Sequence, residues 1–371
     1  MIKVFTVFGT RPEAIKMAPL VLELEKTEGI ESKVCVTAQH REMLDQVLDI
    51  FGIRPDYDLD IMRQRQTLAG ITKRALEGIC AILEEEKPDI VLVHGDTTTT
   101  FAGALAAFYS GVKVGHVEAG LRTFDKWSPF PEEMNRRMTG VLSDLHFSPT
   151  EANRENLLRE GVPEERIYIT GNTVIDALKT TVKKDYTFSD PILRKMPWNE
   201  KRIVLMTAHR RENLGEPMYN IMRAVKRLAT DFPDIEVVYP VHLNPAVQNV
   251  AKEVLGDMEN VHLIAPLDVQ ELHNAMDKSY MILTDSGGLQ EEAPSLGKPV
   301  LVLRTETERP EAVEAGTVKV VGVSEDVIYE EAKILLTNET AYQKMAQAIN
   351  PYGDGEASRR IVGAILEYFT K

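Results

Sequence analysis

Short apolar runs alternate with amphipathic stretches along this whole chain, and that alternation is what most constrains its fold. Strands that alternate with helices build parallel sheets covered on both faces. The sequence therefore predicts an α/β protein whose domains are doubly wound and Rossmann-like. The twelve predicted strands are residues 4–8, 34–37, 90–94, 114–117, 145–147, 167–169, 203–207, 235–238, 261–264, 280–284, 300–303 and 318–320.

The length of 371 residues exceeds one ordinary α/β domain, so we predict two. We assign residues 1–175 to an N-terminal domain and residues 176–354 to a C-terminal domain. Residues 183–201 interrupt the alternation with prolines and charges, and we interpret them as the interdomain connection. The last helical stretch, in residues 355–371, could pack on either domain, including back on the N-terminal one. Ligand sites of doubly wound domains lie at the C-terminal ends of strands, which predicts a shared cleft.

Composition excludes several classes of function. The chain has 43 Lys and Arg residues against 57 Asp and Glu residues, a net charge of −14. This argues against nucleic acid or an anionic membrane as a partner, and an anionic small ligand would need a local basic cluster. No apolar run approaches the ~18 residues of a membrane span, and the N-terminus is typical of a first strand. Cys35 and Cys80 lack metal-ligand spacing, which predicts reduced residues in a cytoplasmic protein.

A glycine turn follows the predicted strand at 280–284 and opens a helix. It contains Ser286, Gly287 and Gly288, and Glu292 lies about one turn into the helix. Glycines let backbone approach a ligand closely, and a helix N-terminus attracts phosphate. A carboxylate one turn in suits the paired hydroxyls of a ribose. An ordinary strand-to-helix turn would explain the glycines alone, but the placement of the acid favours a nucleotide-diphosphate site.

Basic residues follow other predicted strands. Arg11 and Lys16 lie around the start of the first helix, where solvated charge is an equally good explanation. His209 follows the strand at 203–207 beside two arginines, and it can donate to a phosphate or move a proton. The cations that could form the required basic cluster are Arg11, Lys16, Arg210, Arg211 and Arg309.

Three carboxylates lie in successive strand-end loops of the first domain. Asp96 lies where a strand becomes a helix, Glu118 ends the next strand, and Glu132 begins another helix. Each has an ordinary explanation by itself, and an N-cap role is a strong one for Asp96. Because all three loops are expected to converge on the cleft, the set favours chemistry.

Nine segments together strongly resemble the non-hydrolysing UDP-N-acetylglucosamine 2-epimerases, from about residue 2 to the C-terminus. They are GTRPEAIKMAPL, QHREML, VHGDTTTT, HVEAGLRT, PFPEEMNRR, AHRREN, DSGGLQEEA, GKPVL and ERPEAVEAGT. The resemblance implies two domains in the glycosyltransferase-B arrangement, a homodimer, no cofactor and no metal. It also implies interconversion of UDP-GlcNAc and UDP-ManNAc, which supplies ManNAc for cell-surface polysaccharide.

The family's functional residues carry over by motif match. Asp96, Glu118 and Glu132 would be the catalytic carboxylates, with His209 beside the leaving diphosphate. The residues that would hold the UDP moiety are Arg11, Lys16, His209, Leu272, Ser286, Gly287, Gly288, Glu292 and Arg309.

The implied reaction requires several acids. The proton at C2 of the sugar is not acidic until the C1–O bond to UDP breaks and an oxocarbenium-like centre forms. A carboxylate then removes the proton to leave 2-acetamidoglucal and UDP, and re-addition with protonation of the opposite face gives the epimer. A glycosyltransferase of the same fold and a hydrolysing epimerase are the rival enzymes. A non-catalytic UDP-sugar sensor would not need three acids in an anion site.

Some bacterial members of the family bind a second, activating UDP-GlcNAc beside the first. The matching positions here are Gln39, Arg65, Glu132, Arg210 and His242. Ordinary polar residues lining the cleft are the alternative explanation. Glu42 stands where the second-site pattern has Gln, and this departure weakens that contact.

Overall fold

The computed structural model describes residues 1–38, 41–63 and 66–370, and the chain divides into two compact units. The first unit contains Met1–Thr180 together with the chain from Tyr352 onward, and the second contains Thr181–Pro351. Each unit is built on one parallel sheet with helices packed against it. The predicted fold class, with two Rossmann-like doubly wound domains, is confirmed.

The first unit has a seven-stranded sheet in the order β3-β2-β1-β4-β5-β6-β7. Its strands are Ile2–Phe8 (β1), Ile30–Val36 (β2), Tyr57–Asp58 (β3), Ile90–His94 (β4), Lys113–Val117 (β5), Leu145–Ser148 (β6) and Ile167–Ile169 (β7). Its helices are Arg11–Lys26 (α1), Arg41–Phe51 (α2), Leu68–Glu86 (α3), Thr98–Tyr109 (α4), Glu132–Leu142 (α5), Glu151–Arg159 (α6) and Thr173–Thr181 (α7).

The second unit has a six-stranded sheet in the order β10-β9-β8-β11-β12-β13. Its strands are Arg202–Thr207 (β8), Ile235–Pro240 (β9), Val261–Ile264 (β10), Met281–Thr284 (β11), Val300–Val302 (β12) and Val318–Val320 (β13). Its helices are Pro191–Lys195 (α8), Glu216–Asp231 (α9), Pro245–Leu255 (α10), Val269–Lys278 (α11), Gly287–Glu292 (α12), Pro310–Glu314 (α13), Glu325–Thr337 (α14) and Glu339–Ala346 (α15).

The last helix, Ala357–Thr370 (α16), belongs to the first unit, where it packs against α1. Asp176 of α7 accepts backbone N–H bonds at the start of α16, 3.1 Å from the nitrogen of Ala357 and 2.7 Å from that of Ser358. The chain thus leaves the first unit after Thr180 and returns to it at Tyr352.

Residues 183–201 are a folded part of the second unit and not a free connection between units. The ring of Phe188, only 2% exposed, stacks on Trp198 with centroids 5.1 Å apart. The carboxylate of Glu271 on α11 accepts bonds from the backbone nitrogen and the hydroxyl of Ser189, at 2.5 and 2.7 Å. The prolines and charges that suggested a linker belong to a segment that is hydrogen-bonded to α11.

The strand order places the candidate loops side by side. In the first unit β1, β4 and β5 are neighbours, and in the second β8, β11 and β12 are neighbours. Both orders reverse direction in the chain beside the unit's first strand, between β1 and β4 and between β8 and β11. Such a switch point is where doubly wound sheets bind ligands, at the carboxyl ends of the strands.

Among the described residues, no helix combines the length and the apolar character that crossing a membrane requires. Cys35 is a buried free thiol, and Cys80 is a half-buried one.

Candidate functional site

Glu118 is the centre of an acid cluster in the first unit. It follows β5, and its carboxylate Oε2 lies 2.5 Å from Nζ of Lys16 on α1 and 3.1 Å from Nε2 of His94, at the end of β4. Its backbone φ is +61°, in the left-handed region that non-glycine residues rarely adopt. Such strain persists only where the surroundings fix it, and here two cationic or proton-donating groups hold the side chain.

The same two neighbours keep Glu118 ionised. Burial disfavours the carboxylate form, but the positive charge of Lys16 and the hydrogen-bonding ring of His94 outweigh that effect. Together they hold the pKa of Glu118 well below its ordinary value. Glu118 is therefore ready to accept a proton or to stabilise positive charge.

Asp96 has the opposite character. It follows β4, and its carboxylate Oδ2 lies 3.3 Å from Nη2 of Arg136, while its backbone oxygen accepts a bond from the Asn135 amide at 3.0 Å. Burial raises the pKa of Asp96; Arg136 opposes this, while the negative charges of Glu118 and Glu132 add to it. Glu132 itself is half-buried in the first turn of α5. The structure thus brings all three predicted carboxylates, and Lys16, into electrostatic contact.

Two buried carboxylates, Glu13 and Glu133, bond the backbone of loops in the same unit. Glu13 accepts from the backbone nitrogens of Gly9 and Thr10, at 3.1 and 2.8 Å, and completes a capping box on α1. Glu133 accepts from the backbone nitrogens of Thr123 and Phe124, each at 3.1 Å. Neither role was predicted from the sequence, although the Thr-x-x-Glu spacing at residues 10–13 is typical of the capping box that Glu13 completes.

In the second unit a buried aspartate shapes the basic loop. Asp285 follows β11 and is fully buried, and its Oδ2 accepts from the backbone nitrogens of His209 and Arg210, both at 2.8 Å. The amide of Asn213 donates to the same oxygen at 3.0 Å. Three donors on one carboxylate oxygen fix the loop after β8 against the glycine turn after β11.

His209 is held in the same place. Its Nδ1 lies 3.6 Å from Oδ1 of Asp285, and its ring stacks on His242, with centroids 5.2 Å apart and planes within 9°. Burial lowers the pKa of His209, and His242 and Arg210 lower it further against the opposing charge of Asp285. The ring is therefore neutral at physiological pH and available to exchange a proton.

Two guanidinium groups flank the glycine turn. A side chain at Gly287 would place its Cβ 3.7 Å from Nη2 of Arg309 and 3.9 Å from Nη2 of Arg210. Arg309 is also ion-paired with Glu291 on α12. The turn thus combines glycine backbone with positive charge, which suits a diphosphate.

Glu292 lies at the end of α12 with 12% of its side chain exposed. Its Oε2 is 3.0 Å from Nε2 of His273, and its Oε1 is beside Gly288, 3.1 Å from where a Cβ would lie there. His273 was not predicted, because a single histidine in an amphipathic helix gives no signal by itself.

The remaining predicted residues are more dispersed. Arg11 is exposed in the first turn of α1, Leu272 is half-buried on α11, and Glu42 is exposed in the first turn of α2. Gln39 and Arg65 lie outside the described residues. Within the described ranges, His, Cys, Asp and Glu side chains form no group that could hold a metal ion.

The fold first defines a structural class of protein. The units belong to the Rossmann-like proteins of the glycosyltransferase-B type. A solved glycosyltransferase of kitacinnamycin shares this fold at 14% identity, with a TM-score of 0.64 over 99% of this chain and 98% of that chain. This likeness concerns the fold alone.

Within that class the chain belongs to the UDP-N-acetylglucosamine 2-epimerase family, whose members are isomerases. A model of this family matches residues 22–366. The UDP-N-acetylglucosamine 2-epimerase of Bacillus subtilis strain 168 is 62% identical over 368 residues, covering 99% of this chain and 96% of that protein. The resemblance drawn from the nine motifs is confirmed.

Solved structures agree. A crystal structure of a UDP-N-acetylglucosamine 2-epimerase is 60% identical with a TM-score of 0.93, covering 100% of this chain and 96% of that one. The Neisseria meningitidis UDP-GlcNAc 2-epimerase, crystallised with UDP-GlcNAc bound, is 53% identical with a TM-score of 0.87, covering 99% of this chain and 100% of that one.

Proposed function

We propose that this protein interconverts UDP-GlcNAc and UDP-ManNAc by eliminating UDP and adding it back. The observation that carries the proposal is the contrast between two carboxylates of one cluster. Glu118 is held ionised by Lys16 and His94, while the pKa of Asp96 is raised by burial and by its acidic neighbours. A pair of acids whose environments push their pKa values apart is suited to proton removal and proton return.

The chemistry balances without a redox step. The C1–O bond breaks and UDP leaves with its electron pair, while a carboxylate takes the C2 proton and a C1=C2 double bond forms. The product, 2-acetamidoglucal, stays bound with UDP. Protonation of C2 on its other face and re-formation of the C1–O bond then give the epimer. The carboxylates of Glu118 and Glu132 would also stabilise the cationic character at C1.

The second unit would hold the leaving group. Arg210 and Arg309 flank the glycine turn and would neutralise the diphosphate, His209 would exchange a proton with it, and Glu292 would accept from the ribose hydroxyls. Arg11 and Leu272 are proposed to contact the nucleotide as well. A relative that is 53% identical was solved with UDP-GlcNAc bound, which supports this choice of ligand.

The test is incubation with UDP-GlcNAc in D2O, followed by proton NMR, without NAD or metal. The expected product is UDP-ManNAc with one solvent deuteron at C2. Retention of the original C2 hydrogen would contradict elimination. Release of free ManNAc would identify a hydrolysing enzyme, and sugar transfer to an acceptor would identify a glycosyltransferase.

A second UDP-GlcNAc is proposed as an activator, on Gln39, Glu42, Arg65, Glu132, Arg210 and His242. The stacking of His242 on His209 supports this proposal, because a ligand that contacts His242 would also affect the position of the His209 ring. Pure UDP-ManNAc should then turn over only after a trace of UDP-GlcNAc is added, and forward kinetics should be sigmoidal. Equal, lag-free turnover of UDP-ManNAc alone, unchanged by His242→Ala, would exclude this regulation.

We also propose a homodimer that works in the cytoplasm and supplies ManNAc for cell-surface polysaccharide. Exposed apolar side chains on α4 and α5 support self-association: Phe108 is 59%, Tyr109 66% and Val141 87% exposed. Light scattering should give about twice the chain mass of 41.6 kDa. A mass equal to one chain at micromolar concentration would contradict the dimer.

A further inference from the structure

The inner face of α11 carries three buried polar side chains with different kinds of partner. Glu271, His273 and Asn274 are 5%, 1% and 1% exposed. Glu271 and Asn274 bond the segment at 181–190: Glu271 accepts from Ser189, and Asn274 accepts from the Lys183 nitrogen at 2.9 Å. These two side chains bond backbone nitrogens of that segment and so hold it against α11.

His273 bonds two side chains. Its Nδ1 lies 2.7 Å from the hydroxyl oxygen of Thr181, and its Nε2 lies 3.0 Å from Oε2 of Glu292. An ionised carboxylate can only accept, so Nε2 carries the proton. In the neutral ring Nδ1 then accepts from the Thr181 hydroxyl. Thr181 thus fixes the tautomer and the ring plane, and the ring fixes one oxygen of Glu292.

The other oxygen of Glu292 faces the glycine turn. Oε1 lies 3.1 Å from the position that a Cβ of Gly288 would take. Because His273 occupies Oε2, the lone pairs of Oε1 stay available on the side of the turn. A carboxylate fixed in this way can accept two hydroxyls from one sugar without first losing rotational freedom.

We propose that His273 is a positioning residue of the nucleotide site, which orients the Glu292 carboxylate to read the ribose hydroxyls. The inference rests on the proposed binding of UDP to this unit. It adds a determinant of specificity, a preference for ribose over deoxyribose. This preference would depend on His273, a buried residue that acts only through Glu292.

Two amide substitutions separate the two hydrogen bonds of the His273 ring. In His273→Gln the amide nitrogen takes the place of Nε2, so the bond to Glu292 can persist. In His273→Asn the amide reaches only the place of Nδ1, so the bond to Glu292 is lost while Thr181 keeps a partner. Both variants are polar and smaller than the ring, so general destabilisation affects them alike. Glu271→Gln, on the same buried face, is the matched control.

The experiment measures dissociation constants of UDP and 2′-deoxyuridine diphosphate by calorimetry. A hydrogen bond to a charged acceptor predicts that the natural chain prefers UDP by about tenfold or more. Glu292→Gln and His273→Asn should reduce this preference to about threefold or less, while His273→Gln and Glu271→Gln should keep it. Because the preference is a ratio within one protein, a loss of folded protein cancels.

Failures of the two proposals differ. A natural chain that binds neither nucleotide would contradict the proposed function. Equal binding of both, a preference that survives Glu292→Gln, or one that survives His273→Asn would overturn the role of His273. Should His273→Asn not fold, imidazole 15N spectra of the natural chain decide: a ring protonated at Nε2 that shifts with UDP supports the proposal, and a ring protonated only at Nδ1 contradicts it.

Discussion

The two units carry candidate sites of opposite construction. In the first, the functional side chains are themselves half-buried and ionisable, and they hold one another: Glu118 pairs with Lys16, and Asp96 with Arg136. In the second, the groups at the glycine turn are backbone, two arginines and Glu292, and the buried polar residues Asp285 and His273 support them and the loop of His209. The first site places two acids in opposite electrostatic environments, whereas the second fixes its ligand-facing groups on buried supports.

The contrast predicts which measured property a substitution in each unit should change. A change in the first site alters the chemistry of a group that reacts, so turnover should suffer more than binding. A change to a supporting residue of the second site, such as Asp285 or His273, should lower stability and ligand affinity more than the rate of the chemical step.

The largest effect is expected from the acids of the first unit. Glu118→Gln and Asp96→Asn each keep the side-chain shape but remove an acid/base group, and kcat should fall by roughly 10²- to 10⁴-fold. The dissociation constant for UDP should change by less than about threefold, since most of the residues proposed to hold the nucleotide belong to the other unit. Steady-state kinetics and calorimetry measure the two. Near-normal turnover in either variant would remove that residue from the catalytic set.

The next effect concerns the support of the second unit. Asp285→Ala leaves the backbone nitrogens of His209 and Arg210 and the amide of Asn213 without their acceptor. Each stranded donor costs about 1–3 kcal/mol, so the free energy of unfolding should fall by about 3 kcal/mol or more. Urea denaturation followed by circular dichroism measures the loss.

The exposed Asp257→Ala serves as the control for Asp285→Ala. It removes a carboxylate of the same unit that the sheet does not enclose, so its unfolding curve should match that of the natural chain. If both variants were equally stable, Asp285 would not anchor the loop.

The sequence predicted more of the sheets than of the sites. All twelve predicted strands are present, because buried parallel strands are continuous apolar runs. β3 was missed because Tyr57–Asp58 is too short to form a pattern. The pairing of Lys16 with Glu118 joins residues 102 apart in the chain, and spacing cannot reveal such a contact. The same holds for Asp285 and His209, which are 76 apart.

The third prediction separates the two acids by pH. The pKa of Glu118 is lowered in the folded state, so this group stabilises the fold above its ordinary value of 4.5 and loses that contribution as pH falls through the folded value. Glu118→Gln should therefore be less stable than the natural chain at pH 7, by an amount that stays constant down to about pH 4.5 and shrinks below it.

Asp96 should behave in the opposite way. Its pKa is raised in the folded state above the ordinary 3.8, so the ionised group destabilises the fold at high pH and ceases to do so as pH falls. Asp96→Asn should be more stable than the natural chain at pH 7, and this advantage should diminish as pH falls through the folded pKa of Asp96 and be lost below 3.8. Thermal unfolding at stepped pH values checks both, and parallel pH curves would contradict the assignment of opposite environments.

The smallest effect is expected at the glycine turn of the second unit. Gly288→Ala would place a methyl group 3.1 Å from Oε1 of Glu292, closer than nearly all real contacts of this kind, so the carboxylate must shift by a few tenths of an ångström. UDP affinity should fall by about two- to fivefold, an effect comparable to one weakened hydrogen bond. Gly363→Ala on the exposed side of α16 has no atom within 4 Å of the new methyl group, and it should leave affinity unchanged while adding about 0.5–1 kcal/mol of stability. If Gly288→Ala instead lowered stability without changing the dissociation constant, the turn would be a structural feature of the sheet, and the division between a reacting site and a shape-keeping site would lose its clearest support in the second unit.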